Sequence, residues 1–139
     1  MTDTPEQQLA VQVQGDNAGW IVKDYPTKPS QVTKGKTAVS VFRSSILPAA
    51  NRTGLDHELK VNVFVGPTEG PAAADALREA LDGVMLSIER YAGGSFKRAD
   101  LKVFEDKFLG WDIDVTVTSD NIYRSTVIQE RSNNGSAAA

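Results

Sequence analysis

The amino-acid sequence predicts an α+β domain of two layers: a mostly antiparallel or mixed sheet of about four main strands, packed by one long helix, with a short N-terminal helix. Two observations carry this prediction. The first is alternation. Leu59, Val61, Val63 and Val65 alternate with Lys60, Asn62 and Phe64, and Trp111, Ile113, Val115 and Val117 alternate with Asp112, Asp114, Thr116 and Thr118. That two-residue period belongs to strands with one dry and one wet face, the habit of antiparallel or mixed sheets rather than of doubly covered parallel ones. The second is a helical stripe over residues 71–91. Ala73, Leu77, Ala80, Leu81, Val84, Ile88 and Tyr91 recur at three- and four-residue steps, with Asp75, Arg78, Glu79, Asp82, Glu89 and Arg90 on the other side. A helix of roughly 30 Å follows, and it must lie across the dry face of the sheet.

In chain order, Thr4-Pro5 reads as a helix start, a capping residue followed by proline in the first turn, with Glu6 suited to the helix dipole. Leu9 and Val13 share a face, and Gly15-Asp16-Asn17 ends the helix. Trp20-Ile21-Val22 is a short strand. Residues 26–35 hold Pro26, Pro29 and Gly35 and read as a loop; residues 37–42 are rich in β-branched side chains and read as a strand. Residues 44–56 show neither period and predict a long structureless arm, uncommon in a small domain and usually functional or mobile. His57 shares the parity of the strand valines. Gly83 inside the long helix costs about 1 kcal/mol relative to alanine, so either a packing partner comes close there or the helix bends. Residues 95–104 and 111–117 form two further strands around a turn in 105–110, and Lys97 and Lys102 blunt one open edge. A little more strand is expected within 121–129. Residues 1–131 thus make one domain, and residues 132–139, small, polar and alanine-tailed, predict a disordered end.

Composition narrows the chemistry. With 139 residues, no cysteine and one histidine, the chain excludes disulfides, thiolate nucleophiles, Cys-bound zinc and two-histidine metal sites. The net charge of −3 from 18 acids and 15 bases argues against a general nucleic-acid binder. Neither a signal peptide nor an apolar run of membrane-spanning length, about 20 residues, occurs, so the reading is a soluble protein kept inside the cell that makes it, with no membrane partner. The one basic patch lies in residues 23–43, with Lys23, Lys28, Lys34, Lys36 and Arg43 against Asp24. It is either a solvated loop or a surface that meets nucleic acid or an acidic partner.

No catalytic constellation emerges. His57 and Glu58 are neighbours on a strand and point to opposite faces. Asp112 and Asp114 share a face about 7 Å apart, a spacing suited to a hard metal or an acid–base pair, but Thr116 and Thr118 continue the row as a solvated sheet face would. Gly93-Gly94 follows a helix and lacks the spacing of a dinucleotide fingerprint, and Ser44 and Ser45 sit in no nucleophile elbow. The expectation is no enzyme, no cofactor and no metal.

Three segments point elsewhere: His57-Glu58-Leu59-Lys60-Val61-Asn62-Val63-Phe64-Val65, then Ala74-Asp75-Ala76-Leu77-Arg78-Glu79-Ala80-Leu81, then Lys102-Val103-Phe104-Glu105-Asp106-Lys107-Phe108-Leu109-Gly110-Trp111-Asp112-Ile113. They resemble the tail terminator proteins of long-tailed, siphovirus-type phages, especially those of actinobacteria, over roughly residues 36–125. The resemblance implies a structural virion protein of the tail–neck region, assembled in the host cytoplasm. Such proteins form a hexameric ring that caps the tail tube, stops its polymerisation and offers a docking surface for the head connector. The implied partners are sister copies, the tail tube protein, head–tail connector proteins, and genomic DNA that passes through the lumen without sequence-specific binding. On pattern alone, the candidate contacts are Lys28, Lys34, Lys36, Arg43 and Arg52 for charge, with Ile46 and Leu47 as apolar anchors in the arm. The competing readings are another neck protein, such as a head–tail connector or stopper, and a small cellular enzyme or ligand-binding domain that uses His57 with acids such as Asp112.

Overall fold

The computed structural model describes residues 4–32, 35–50, 53–65, 70–91, 94–105 and 108–138. Along the chain run α1 (Pro5–Asp16), β1 (Ile21–Lys23), a 3₁₀ turn (Pro29–Gln31), β2 (Thr37–Pro48), β3 (Gly54–Val65), α2 (Gly70–Arg90), β4 (Gly94–Phe104), β5 (Phe108–Asp120) and α3 (Ile122–Ala138). The strands form one mixed sheet in the order β1-β2-β3-β5-β4. All neighbours are antiparallel except the short β1, which runs parallel to β2. The α+β class and the one-sided sheet agree with the alternation in the sequence.

The alternating rows set the register. Val39 pairs with Val63, Val41 with Val61, Val61 with Ile113 and Leu59 with Val115, so these side chains share one face. Helices α1 and α2 cover that face, with Leu9, Val13, Ala80, Val84 and Ile88 packed against the strand residues in a single buried cluster. Burying each aliphatic side chain there contributes on the order of 1.5–3 kcal/mol. A Cβ on Gly83 would lie 2.6 Å from the indole of Trp20. Of the two explanations for a glycine in mid-helix, close packing is the one realised.

The second face follows a different plan. Residues 24–36 connect two parallel neighbours, a task that needs a crossover of about a dozen residues. Val32 and Ala38 gather there with Ile21 around Phe64, which is fully buried although the strand pattern places it on the wet side. The Phe104 ring packs on Phe64 at 5.8 Å and leaves no room at Gly110, where a Cβ would come within 2.6 Å of that ring. Ser30 ties the crossover to the far hairpin by donating from its backbone N–H and its hydroxyl to the Glu105 carboxylate, both at 2.9 Å.

Three expectations need correction. Residues 44–56 are no structureless arm: β2 continues to Pro48 and β3 begins at Gly54. A bulge between Arg43 and Ser45 switches parity, so that Val41 and Ile46 share the helix face although their numbers differ in parity. One extra residue thereby hides the two-residue period. Residues 122–129, expected to add strand, are the start of α3, where Asn121 Oδ1 accepts the Arg124 N–H at 3.0 Å as a helix cap. The same helix continues to Ala138, through residues for which the composition predicts disorder.

Candidate assembly surface

The candidate contact residues divide between the two ends of β2. Lys28 and Lys36 are exposed at the end where β2 begins, while Ile46 and Leu47 are exposed near the hairpin at its other end, roughly 33 Å away for the ten residues from Lys36 to Ile46. Lys34 and Arg52 lie outside the described residues. These positions therefore form no single patch. Among the described residues, β1 pairs only with residues 38–40 of β2, and the rest of that strand has one edge without a strand neighbour.

Arg43 belongs to an internal polar cluster rather than to a free surface. Its Nη1 donates to His57 Nδ1 at 3.3 Å, and its Nε lies 3.8 Å from Glu6 on α1. Because arginine only donates, His57 Nδ1 accepts, which places the imidazole proton on Nε2. That N–H donates to Ser119 Oγ at 2.8 Å, and Ser119 in turn donates to the Asp120 carbonyl at 3.2 Å. The arrangement requires a neutral imidazole. Burial, and then the Arg43 charge, hold the His57 pKa below its ordinary value, with Glu6 and Asp56 opposing. His57 joins β2, β3, β5 and α1; it faces the helix layer, whereas Asp112 stands on the other face of the sheet, paired with Asn62. The sheet separates the histidine from the acid with which an enzyme reading would combine it.

The face without helices is a lattice of cross-strand pairs. Lys60 bonds Asp114 and lies 3.7 Å from Asp112, and Lys102 donates to Asp112 at 2.6 Å. Lys97 and Thr116 both donate to Glu58, at 2.9 and 3.1 Å, and Thr118 donates to Asp56 at 2.8 Å. The Asp114 hydrogen bond is the main cause that raises the Lys60 pKa. Two ammonium groups thus occupy the carboxylate pair that the sequence offered to a metal, and among the described residues no cluster of three acids or histidines is placed to hold one. Among those residues, too, no helix is long and apolar enough to cross a membrane.

Two apolar surfaces were not singled out from the sequence. The first is α3, where Tyr123, Val127 and Ile128 are exposed. Its signals were Asn121 as a cap and the Tyr123–Val127 spacing, both overridden by the β-branched content of the segment. The second is a hollow of about 130 Å³ between α2 and the β4–β5 hairpin, lined by Ala74, Leu77, Arg78, Leu101, Leu109 and Trp111. Leu101 faces Trp111 and Val103 faces Leu109 across the hairpin, on the helix side but past the end of α2's cover. Compared with known families and characterised proteins, the chain matches no family model and no curated relative.

Proposed function

We propose that this chain is a structural virion protein, the tail terminator of a long-tailed phage. In this reading, copies form a ring, hexameric by family resemblance, that seats on the last ring of the tail tube, halts its growth and receives the head connector. DNA passes through the lumen without sequence recognition, and no catalytic step or cofactor is involved. Three lines support it. The segments that carry the likeness coincide with β3, the first half of α2 and the β4–β5 hairpin. The His57 cluster and the carboxylate lattice are internally paired. Above all, α3 exposes Tyr123, Val127 and Ile128 and the β4–β5 hairpin exposes Leu101, Val103 and Leu109, which suits a subunit completed by neighbours.

The test is tail-tube assembly with and without the purified protein, followed by negative-stain microscopy and light scattering. The expected outcome is tubes of bounded length with a ring at one terminus. Tubes that grow unchecked beside an unbound protein overturn the reading. Binding at a head connector with no effect on tube growth assigns the chain to a neighbouring neck position instead.

A further inference from the structure

We infer that His57 is a charge-exchange switch: when its imidazole takes up a proton from solvent, Nδ1 releases Arg43 and donates to Glu6, and the guanidinium turns outward beside β2. The inference is independent of the ring reading and concerns a buried group that the reading leaves unused. Three observations lead to it. The first is that the two ring nitrogens are held differently. Nε2 donates to Ser119 Oγ at 2.8 Å, and this bond survives protonation because that nitrogen keeps its hydrogen. Nδ1 instead accepts from Arg43 Nη1 at 3.3 Å. A proton on Nδ1 sets two donors and two positive charges against each other at that distance. Only this side of the ring has to rearrange.

The second observation is a waiting acceptor. Glu6, in the first turn of α1, lies 3.8 Å from Arg43 Nε through Oε2, too far for a hydrogen bond. Among the described residues that oxygen is buried and accepts no hydrogen bond. A buried acceptor of this kind calls for a donor, and the protonated imidazole supplies one. Charge decides which cation stays. The cluster is neutral now, with Arg43 positive and Glu6 negative, and it is neutral again as His57 and Glu6 once the guanidinium has left; with all three inside, it would bury an uncompensated positive charge. Glu6 favours the charged imidazole, whereas burial and then Arg43 oppose it. No other group takes the place of Glu6. Asp56, on the same strand, bonds Thr118 on the open face, and Tyr91, where α2 ends, donates to Gln8 and is kept neutral by burial and by Glu6.

The third is a way out. The Arg43 side chain is already 25% exposed, and Ile46, the residue of β2 that pairs with His57, is exposed as well. Among the described residues this stretch of β2 has no strand on its outer edge, and Arg43 stands at the bulge that precedes Ser45. The side chain therefore reaches water by turning about its own bonds, and no strand has to move. Acid thus converts an internal cation into a surface one.

The chain has one histidine, so imidazole NMR signals report this group alone. The full-length, nitrogen-labelled protein is titrated downward from about pH 8 through the histidine range, with circular dichroism recorded alongside. The expected result is an imidazole protonated on Nε2 at the start and a single titration step below about 6.5. Across that same step, water exchange of the Arg43 guanidinium protons, identified by their loss in Arg43→Lys, rises at least ten-fold. Glu6→Gln lowers the step by roughly one pH unit and Arg43→Gln raises it by roughly one. Arg43 signals that pass through the step unchanged overturn the inference, as does a midpoint that Glu6→Gln leaves in place. So does an imidazole that titrates only as the circular dichroism signal collapses, because the fold then holds no protonated state. The titration of the unsubstituted chain decides the matter even where a variant fails to fold.

Discussion

The helix-covered face and the open face of the sheet are built from the same strands, residue by alternate residue, yet they are held by different forces. On the covered face, Val61, Val63, Ile113 and Val115 are fully buried under α1 and α2, and shape complementarity decides the energy. On the open face, Lys60, Lys97 and Lys102 bridge Glu58, Asp112 and Asp114 across strands while staying partly in water. Solvent weakens those attractions. The difference shows that ion pairs in quantity do not make a face a stabilising one; exclusion of water does.

The sharpest way to break that contrast is Ile113→Ala, which leaves a void in the core and is expected to cost about 3–4 kcal/mol in denaturant unfolding. A cost below about 1 kcal/mol would mean that the covered face is loosely packed. Gly110→Ala comes next, at about 2 kcal/mol, because its methyl meets both the Phe104 ring and, at 2.8 Å, the Val63 carbonyl. Gly83→Ala sets two effects against each other. Helix propensity favours alanine by about 1 kcal/mol, but the Trp20 indole occupies the space, so a net loss of about 1 kcal/mol is expected, read by the thermal midpoint. A gain there would show that Trp20 moves freely.

A gentler probe is pH. His57 is held below its ordinary pKa, so above about 6.5 neither the folded nor the unfolded chain carries its proton and the group contributes no slope. As pH falls below that value the unfolded chain takes up the proton first, and stability declines until the folded-state pKa is reached. Stability measured from pH 7 downward should show this decline before the carboxylates titrate, and His57→Gln should flatten it. An identical curve for the variant would exclude the buried imidazole as its source. The smallest effect is expected from Lys60→Met, less than about 1 kcal/mol, because the Lys60 side chain is a third exposed and Asp112 keeps Lys102. A larger loss would promote the charged lattice from a solvated face to a structural one.

Legibility followed locality. The stripe over residues 71–91 and the rows 59–65 and 111–117 depend only on which side chains recur along one element, and the structure places them as the pattern requires. Where two elements had to cooperate, the pattern misled. The bulge after Arg43 turned a regular strand into apparent disorder, and an equivalent shift between Phe96 and Arg98 puts Phe96 on the same face as Ala99. Phe64 looked wet because the crossover that dries it lies more than thirty residues away in sequence. Arg43 looked like a surface contact because nothing in the chain order announces that His57 and Glu6 converge on it.

Side-chain periodicity was thus enough to specify an α+β class, a one-sided sheet and the rod that covers it, since burying an amphipathic element is decided by its own residues. Which strand pairs with which, why Gly83 and Gly110 must lack a Cβ, and how a neutral histidine is locked between an arginine and a serine all depend on distant segments meeting in space. Those meetings are set by packing and register, which no single stretch of chain contains.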